Sequence, residues 1–380
     1  MNNIRVYVIS SVRPEPSSAG QVLLHRHLTD IPSLVYETYG YEPTMITPSS
    51  AVRRIMGKLS QTRAKRIAHD FWAWRDGRWL DVLLPASVPD PSSSVVLTVA
   101  QGDACCAAQR FAQKHRLPLV TFFHDWWPDM AAVHRPFQRH LEKRFRDLYQ
   151  QSQLALCVSE GMCAKLGGHP NAHVLYPIPS KVTQLAEAPK RTNTLKVLCF
   201  GNLHEYGPMM GQALHEMKGN PQVRIEVRGA NPNWSDSFRF EMAHEGMWHD
   251  FASGEVLQSW IESADALLVP MVFDPRMRRR METSFPSKMV EMAQMGKPLV
   301  VWGPEYCSAV QWARRGDRAL CVTDPDPKVL RLELEKLASS PEEVLRLSSA
   351  ARDATRRDFS HERIQAQFME ALMDVVCNKE

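Results

Sequence analysis

Apolar residues recur along this chain in short blocks, at 5–10, 82–84, 95–100, 119–123, 154–158 and 174–176, with helical periodicity between several of them, at 21–30, 105–115 and 136–151. Short blocks rich in Val, Ile, Leu and Phe fit strands buried on both faces, and intervening helices fit crossover connections. The pattern stops at 180–194, a polar stretch without periodicity that Pro177, Pro179 and Pro189 bracket. It restarts at 196–200 and continues through apolar blocks at 223–227, 266–269, 299–302 and 319–322, with helical patterns at 256–263, 306–315, 327–357 and 361–375. The predicted architecture is α/β. Two doubly wound, Rossmann-like domains at 1–179 and 195–358 face a cleft, a linker at 180–194 joins them, and a helical segment at 359–380 packs back on the first.

In such domains ligands bind beyond the carboxyl ends of the strands, so the residues following each apolar block carry the candidate chemistry. After 119–123 come His124, Asp125, Trp126 and Trp127, which offer polar contacts and indole surfaces for a sugar ring. A capped loop with a hydrogen-bonded histidine would give the same letters. Ser159, Glu160 and Gly161 follow the next block and suit a helix cap. Gly20 opens the first predicted helix and would let a phosphate approach the backbone, although the loop before it lacks the G-x-G-x-x-G dinucleotide fingerprint. Gly201 and Asn202 end the first block of the second domain in the same way.

The richest stretch is 284–298, SFPSKMVEMAQMGKP. Pro286 favours a helix start with Phe285 as its cap, which leaves the N–H groups of Ser287 and Lys288 for an anion. Glu291 falls on the same stripe one turn later, placed for ribose hydroxyls. An ordinary amphipathic crossover helix accounts for the pattern equally well.

Composition removes several classes. With 44% hydrophobic and 23% charged residues over 380 positions and a formal charge of +4, the chain is a globular protein without the basic excess of a nucleic-acid binder. No apolar run reaches transmembrane length, and MNNIRVYVIS lacks the build of a secretory leader, so the expected place is the cytosol. The eight cysteines form no C-x-x-C pair and read as reduced, buried small hydrophobes. Residues 51–75 interleave Arg53, Arg54, Lys58, Arg63, Lys65, Arg66 and Arg75 with Ile55, Ile67, Trp72 and Trp74. That is the composition of a peripheral contact with an anionic membrane, or of a helix packed on its own domain. Asp324-Pro325-Asp326 spells D-x-D, but its proline-rich loop reads as a turn and no metal site is expected.

Gly20, His124-Asp125, Ser159-Glu160-Gly161, Gly201-Asn202-Leu203, the run from Ala264 to Pro270, the stretch 284–298 and Phe359-Ser360 occur in an order that resembles the retaining GT-B glycosyltransferases of family four. The resemblance covers nearly the whole chain. It implies sugar transfer from a nucleoside-diphosphate sugar to an acceptor hydroxyl, in glycan, polysaccharide or glycolipid assembly, with no cofactor beyond that co-substrate. It further implies that Glu291 binds ribose and that Gly201, Asn202, Phe285, Ser287 and Lys288 line the donor site. His124 and Asp125 would position the donor sugar or the acceptor. The family places a second glutamate where this chain has Thr283, and the adjacent acid is Glu282. It also commonly has a basic residue after the glycine loop. Here Arg228, or one of Arg276, Arg278, Arg279 and Arg280, would take that part.

Overall fold

The computed structural model describes residues 3–16, 19–29, 31–40, 51–181 and 194–377, with side chains at all of these except 19 and 51–54. The chain divides into two compact units, Met1–Tyr176 with Ile364–Glu380, and Pro177–Arg363.

The first unit is built on β1 (Ile4–Ile9), β2 (Leu34–Tyr39), β3 (Ser94–Val99), β4 (Leu119–Phe123), β5 (Leu154–Cys157) and β6 (Ala172–Val174). These lie in the order β2-β1-β3-β4-β5-β6 with every pairing parallel. Every residue of β3 and β4 is buried, as a central parallel strand requires. Chain order reverses between β1 and β3, because β1 leads first to β2 on one side and then to β3 on the other. The last helix, His361–Cys377, contributes Phe368 to this unit. Its ring lies between His27 and Phe122, at centroid distances of 5.1 and 5.7 Å.

The second unit carries β7 (Leu195–Asn202), β8 (Val223–Ala230), β9 (Trp248–Asp250), β10 (Ala266–Pro270), β11 (Leu299–Trp302) and β12 (Leu320–Val322) in the order β12-β11-β10-β7-β8-β9, again all parallel. Its reversal falls between β7 and β10. There the ladder holds only Ala266 opposite Val197 and Leu267 opposite Leu198, whereas β7 pairs with β8 from Leu195 to Asn202. The β10 ladder therefore stops short of the carboxyl end of β7.

Two sequence expectations change. The apolar block at 82–84 belongs to a 3-10 helix, Arg78–Leu83, with Val82 and Leu83 exposed. Leu34–Tyr39, which the pattern did not flag, is strand β2. The D-x-D loop is spent on structure: the Asp324 carboxylate accepts from the Asp326 N–H at 2.8 Å, and Asp326 caps helix Pro327–Ala338 through the Lys328 N–H at 2.9 Å.

Candidate active site

The second unit brings three of the candidate residues together at its switch point. Gly201 sits at the end of β7 with φ +116, and a Cβ built there would lie 2.3 Å from Lys288 Cε and 2.4 Å from its Nζ. The lysine side chain thus occupies the space that any residue other than glycine would fill. Gly229, opposite Gly201 in the ladder, is equally constrained, since its Cβ would meet the Gly201 carbonyl oxygen at 1.9 Å. The Lys288 ammonium donates to the Asn202 carbonyl at 3.2 Å and lies 5.7 Å from the Tyr206 ring centroid. Burial pushes its pKa below the ordinary value, with Cys199 pulling the other way. Burial likewise raises the Cys199 thiol to about 11, against the pull of Lys288. Among the described residues the ammonium pairs with no carboxylate, so its charge is met only by a carbonyl dipole and an indirect aromatic contact. A partly desolvated cation of this kind favours an anionic ligand.

Lys288 lies in the first turn of helix Ser287–Ala293. Pro286 is the cap, not Phe285, because its ψ of 108° keeps it extended, and no side chain caps the helix. Phe285 is turned inward instead. Its ring packs on Trp312 and Phe359 at 6.2 and 5.9 Å, and those two stack on each other at 4.9 Å. The ring is therefore core, and any donor contact from Phe285 falls to its backbone. Ser287 stands at the helix start beside Lys288. Glu291 is engaged by the chain that leads into the linker, accepting from the Ser180 hydroxyl at 2.7 Å and from its N–H at 3.3 and 3.4 Å.

The remaining candidates of this unit stand apart from Lys288. Arg228 donates to the Asp250 carbonyl at 3.0 Å and lies over the Trp260 ring at 5.2 Å, on the β8–β9 side. Glu282 accepts from Arg278 at 2.7 Å, and Thr283, fully buried, donates to the Arg279 carbonyl at 2.9 Å. Arg276 pairs with Asp274, while Arg280 bonds Glu205 in the loop after β7. Of the arginines offered as replacements for a loop lysine, Arg276, Arg278 and Arg280 thus have carboxylate partners, and Lys288 itself fills the space against the glycine loop.

In the first unit, His124 follows β4 with its ring 5.4 Å from Phe122. Burial lowers its pKa below 6.5 while Asp125 opposes the shift, so the imidazole is neutral at pH 7. The Asp125 carbonyl accepts from the Trp127 N–H at 2.9 Å, which turns the chain sharply after His124. Of the two tryptophans there, Trp126 is fully buried and donates to Glu142 at 2.8 Å. Trp127 alone keeps surface for a ligand. Gly20 makes no close approach, since a Cβ there would meet only Val12 at 3.7 Å. Ser159 caps helix Glu160–Leu166 through the Met162 N–H, as the sequence suggested.

No family model matches the chain, and no curated protein matches it. Among solved structures it is similar to a sucrose-phosphate synthase from Thermosynechococcus elongatus, with a TM-score of 0.65 and 12% identity over 99% of this chain and 100% of that one. It is also similar to a glycosyltransferase from Rickettsia africae, with a TM-score of 0.63 and 10% identity over the whole of both chains. A third likeness is to HepE of Anabaena in complex with UDP-glucose, with a TM-score of 0.59 and 13% identity over 98% of this chain and 100% of that one. At such identities the likeness defines the fold, and the fold is GT-B.

Proposed function

We propose that this protein transfers a sugar from a nucleoside-diphosphate sugar to an acceptor hydroxyl, with retention at the anomeric carbon and without a metal ion. The observation that carries the reading is Lys288, a half-buried ammonium without a carboxylate partner among the described residues, set against Gly201 where the second sheet reverses. The HepE structures with UDP and with UDP-glucose support a nucleotide sugar as the ligand of such a site. In this reading the bond from the anomeric carbon to the diphosphate breaks, the acceptor oxygen bonds to that carbon, and the acceptor proton passes to the departing diphosphate. Charge accumulates on the diphosphate as the bond breaks, and Lys288 stabilises it from a fixed position that needs no reorganisation. Glu291 exchanges the Ser180 donors for ribose hydroxyls, and neutral His124 orients a sugar hydroxyl. The acceptor belongs to glycan, polysaccharide or glycolipid assembly.

The test is release of nucleoside diphosphate from a panel of UDP-, GDP- and ADP-sugars with mixed glycan acceptors, compared with the Lys288→Met variant. Release that the variant abolishes is the expected result, and equal release from both rejects the site. A second reading, a GT-B protein that binds nucleotide without turnover, draws on Thr283 facing inward and Glu282 engaged by Arg278. Binding of UDP with no release from any donor would select it.

Helices Ala51–Ser60 and Lys65–Arg75 support a peripheral contact with an anionic membrane, because Ile55, Ile67 and Trp74 are exposed beside exposed Lys58, Arg63, Lys65 and Arg66. The side chains of Arg53 and Arg54 lie outside those described. No helix among the described residues is long and apolar enough to cross a membrane. Reversing Lys58, Lys65 and Arg66 to Glu should abolish co-sedimentation with phosphatidylglycerol vesicles, and unchanged sedimentation removes this contact.

A further inference from the structure

The first unit has a switch point of its own, and a cavity of about 630 Å³ lies there. Its lining includes Ser11 from just beyond β1, Asp103 from just beyond β3 and Trp127 from beyond β4, so three strand ends converge on it. Trp72 and Trp79 come from between β2 and β3, from helix Lys65–Arg75 and the 3-10 helix Arg78–Leu83 that follows it.

Two glycines in the left-handed region bring these pieces together. At Gly102, φ +69, a Cβ would lie 2.4 Å from Ser11 Oγ, so the β3 loop is pressed on the end of β1. At Gly77, φ +65, a Cβ would lie 2.3 Å from the Asp103 carbonyl oxygen, so the turn before Trp79 is pressed on the β3 loop. The contact places the Trp79 side chain in hydrogen bond to the Asp103 carboxylate. Polar contacts fix the rest of this wall: Arg110 pairs with Asp81 at 2.8 Å and Arg144 with Asp76, whose carboxylate also lies 3.2 Å from the His140 ring. The segment is thereby tied to helices Ala104–His115 and Arg135–Gln151.

The chemistry of the cavity is unusual for a structural void. Three indoles line it together with one carboxylate that burial raises from 3.8 to about 6, the Trp79 hydrogen bond opposing. Indole faces are electron-rich and apolar, which suits the C–H face of a pyranose, while a carboxylate accepts hydroxyl hydrogens at the ring edge. A cation would meet a single acid already hydrogen-bonded to Trp79. A nucleoside diphosphate would meet no lysine or arginine among the cavity's lining residues, and a wholly apolar ligand would strand Asp103. A neutral saccharide satisfies both kinds of surface.

We infer that this cavity is the seat of the acceptor saccharide, with Trp72, Trp79 and Trp127 supplying stacking surfaces and Asp103 receiving a pair of sugar hydroxyls. Its role as acceptor site rests on the sugar-transfer reading. Its capacity to bind a saccharide does not.

The full chain is titrated with methyl glycosides of glucose, galactose, mannose and N-acetylglucosamine and with maltose, cellobiose and lactose, read by tryptophan fluorescence and saturation-transfer NMR, with UDP as control ligand. A saturable response to at least one sugar is expected. Asp103→Asn, which keeps an acceptor for Trp79, and Trp72→Ala, on a partly exposed position, should each weaken it at least about tenfold with the affinity for UDP unchanged. Octyl glycosides form a second arm: tighter binding than the methyl glycosides assigns a lipid-carried acceptor, and equal binding assigns a soluble one. Absence of saccharide binding in protein that binds UDP overturns the inference, as does saccharide binding that both variants retain in full. Saccharide binding without UDP binding overturns the donor site instead and leaves the saccharide site standing.

Discussion

Lys288 and Gly201 are mutually exclusive in volume: the lysine packs so closely on the glycine that a methyl group at position 201 would sit 2.3 Å from Lys288 Cε. Gly201→Ala therefore has to displace the ammonium, and its φ of +116 adds backbone strain. The expected outcome is a loss of UDP affinity of about tenfold or more, which is roughly 1.4 kcal/mol, together with a lowered melting temperature. Isothermal titration of the variant at a temperature where it is folded separates the two effects. Affinity equal to that of the parent would show that Lys288 does not bind the diphosphate from this position.

Glu291 and Ser180 make the second informative pair. Hydrogen bonds to a charged acceptor contribute about 1.5–3 kcal/mol, so removing the carboxylate from a ribose site should cost about ten- to a hundredfold in affinity. The Ser180 hydroxyl, 2.7 Å from that carboxylate, competes with the ribose if the two share it. Ser180→Ala is then expected to bind UDP several-fold more tightly while losing some stability, and Glu291→Ala to bind it more weakly. Weaker binding by both variants would mean that Ser180 holds Glu291 in place for the ligand.

The alternation of apolar blocks and helical stretches was legible because central parallel strands are buried on both faces and need continuous apolar sequence. Edge elements lack that constraint. In β2, Val35 is exposed and Glu37 bonds Tyr39, so the strand reads as polar. The apolar block at 82–84 looks like a strand, yet Val82 and Leu83 are exposed and lie in a 3-10 helix. At the site, Lys288 and Glu291 could be proposed from helix periodicity, whereas their partners could not. Asn202 is 86 residues from Lys288, and Ser180 is 111 from Glu291. Phe285 looked available because it precedes a helix, yet the direction of its ring is set by Trp312 and Phe359. Asp103 went unremarked although it follows the β3 block as His124 follows β4. The strand-end rule would have found it, but the tryptophans that give it meaning come from a segment whose fold depends on Gly77.

Phe285 separates packing from ligand contact. Truncating a buried aromatic costs about 3–5 kcal/mol, so Phe285→Ala should lower stability strongly. Phe285→Leu keeps much of the apolar volume and should lower the denaturation midpoint by less, while leaving UDP affinity within about twofold of the parent. Denaturant titration and calorimetry on the Leu variant check both points. A large loss of affinity at nearly full stability would place the ring against the ligand.

Asp103 should reveal itself through pH. Its carboxyl lies at about 6 in the folded chain against an ordinary 3.8, because burial disfavours the charge more than the Trp79 hydrogen bond favours it. The folded state therefore binds the proton more tightly than the unfolded chain does. The stabilisation from that proton is complete below pH 3.8 and is lost as pH rises through about 6, after which the buried charge weighs against folding. Asp103→Asn never ionises, so it should raise stability relative to the parent more at pH 8 than at pH 5. Trp79→Phe removes the donor that favours the ionised form and should move the carboxyl pKa higher still. Carboxyl-carbon NMR of the parent and of the Trp79 variant, with urea titrations of the Asp103 variant at both pH values, tests the two statements. An Asp103 carboxyl that titrates near 4, or an Asn variant whose effect on stability is the same at pH 5 and pH 8, would show that the residue is solvated and has no special place in the cavity.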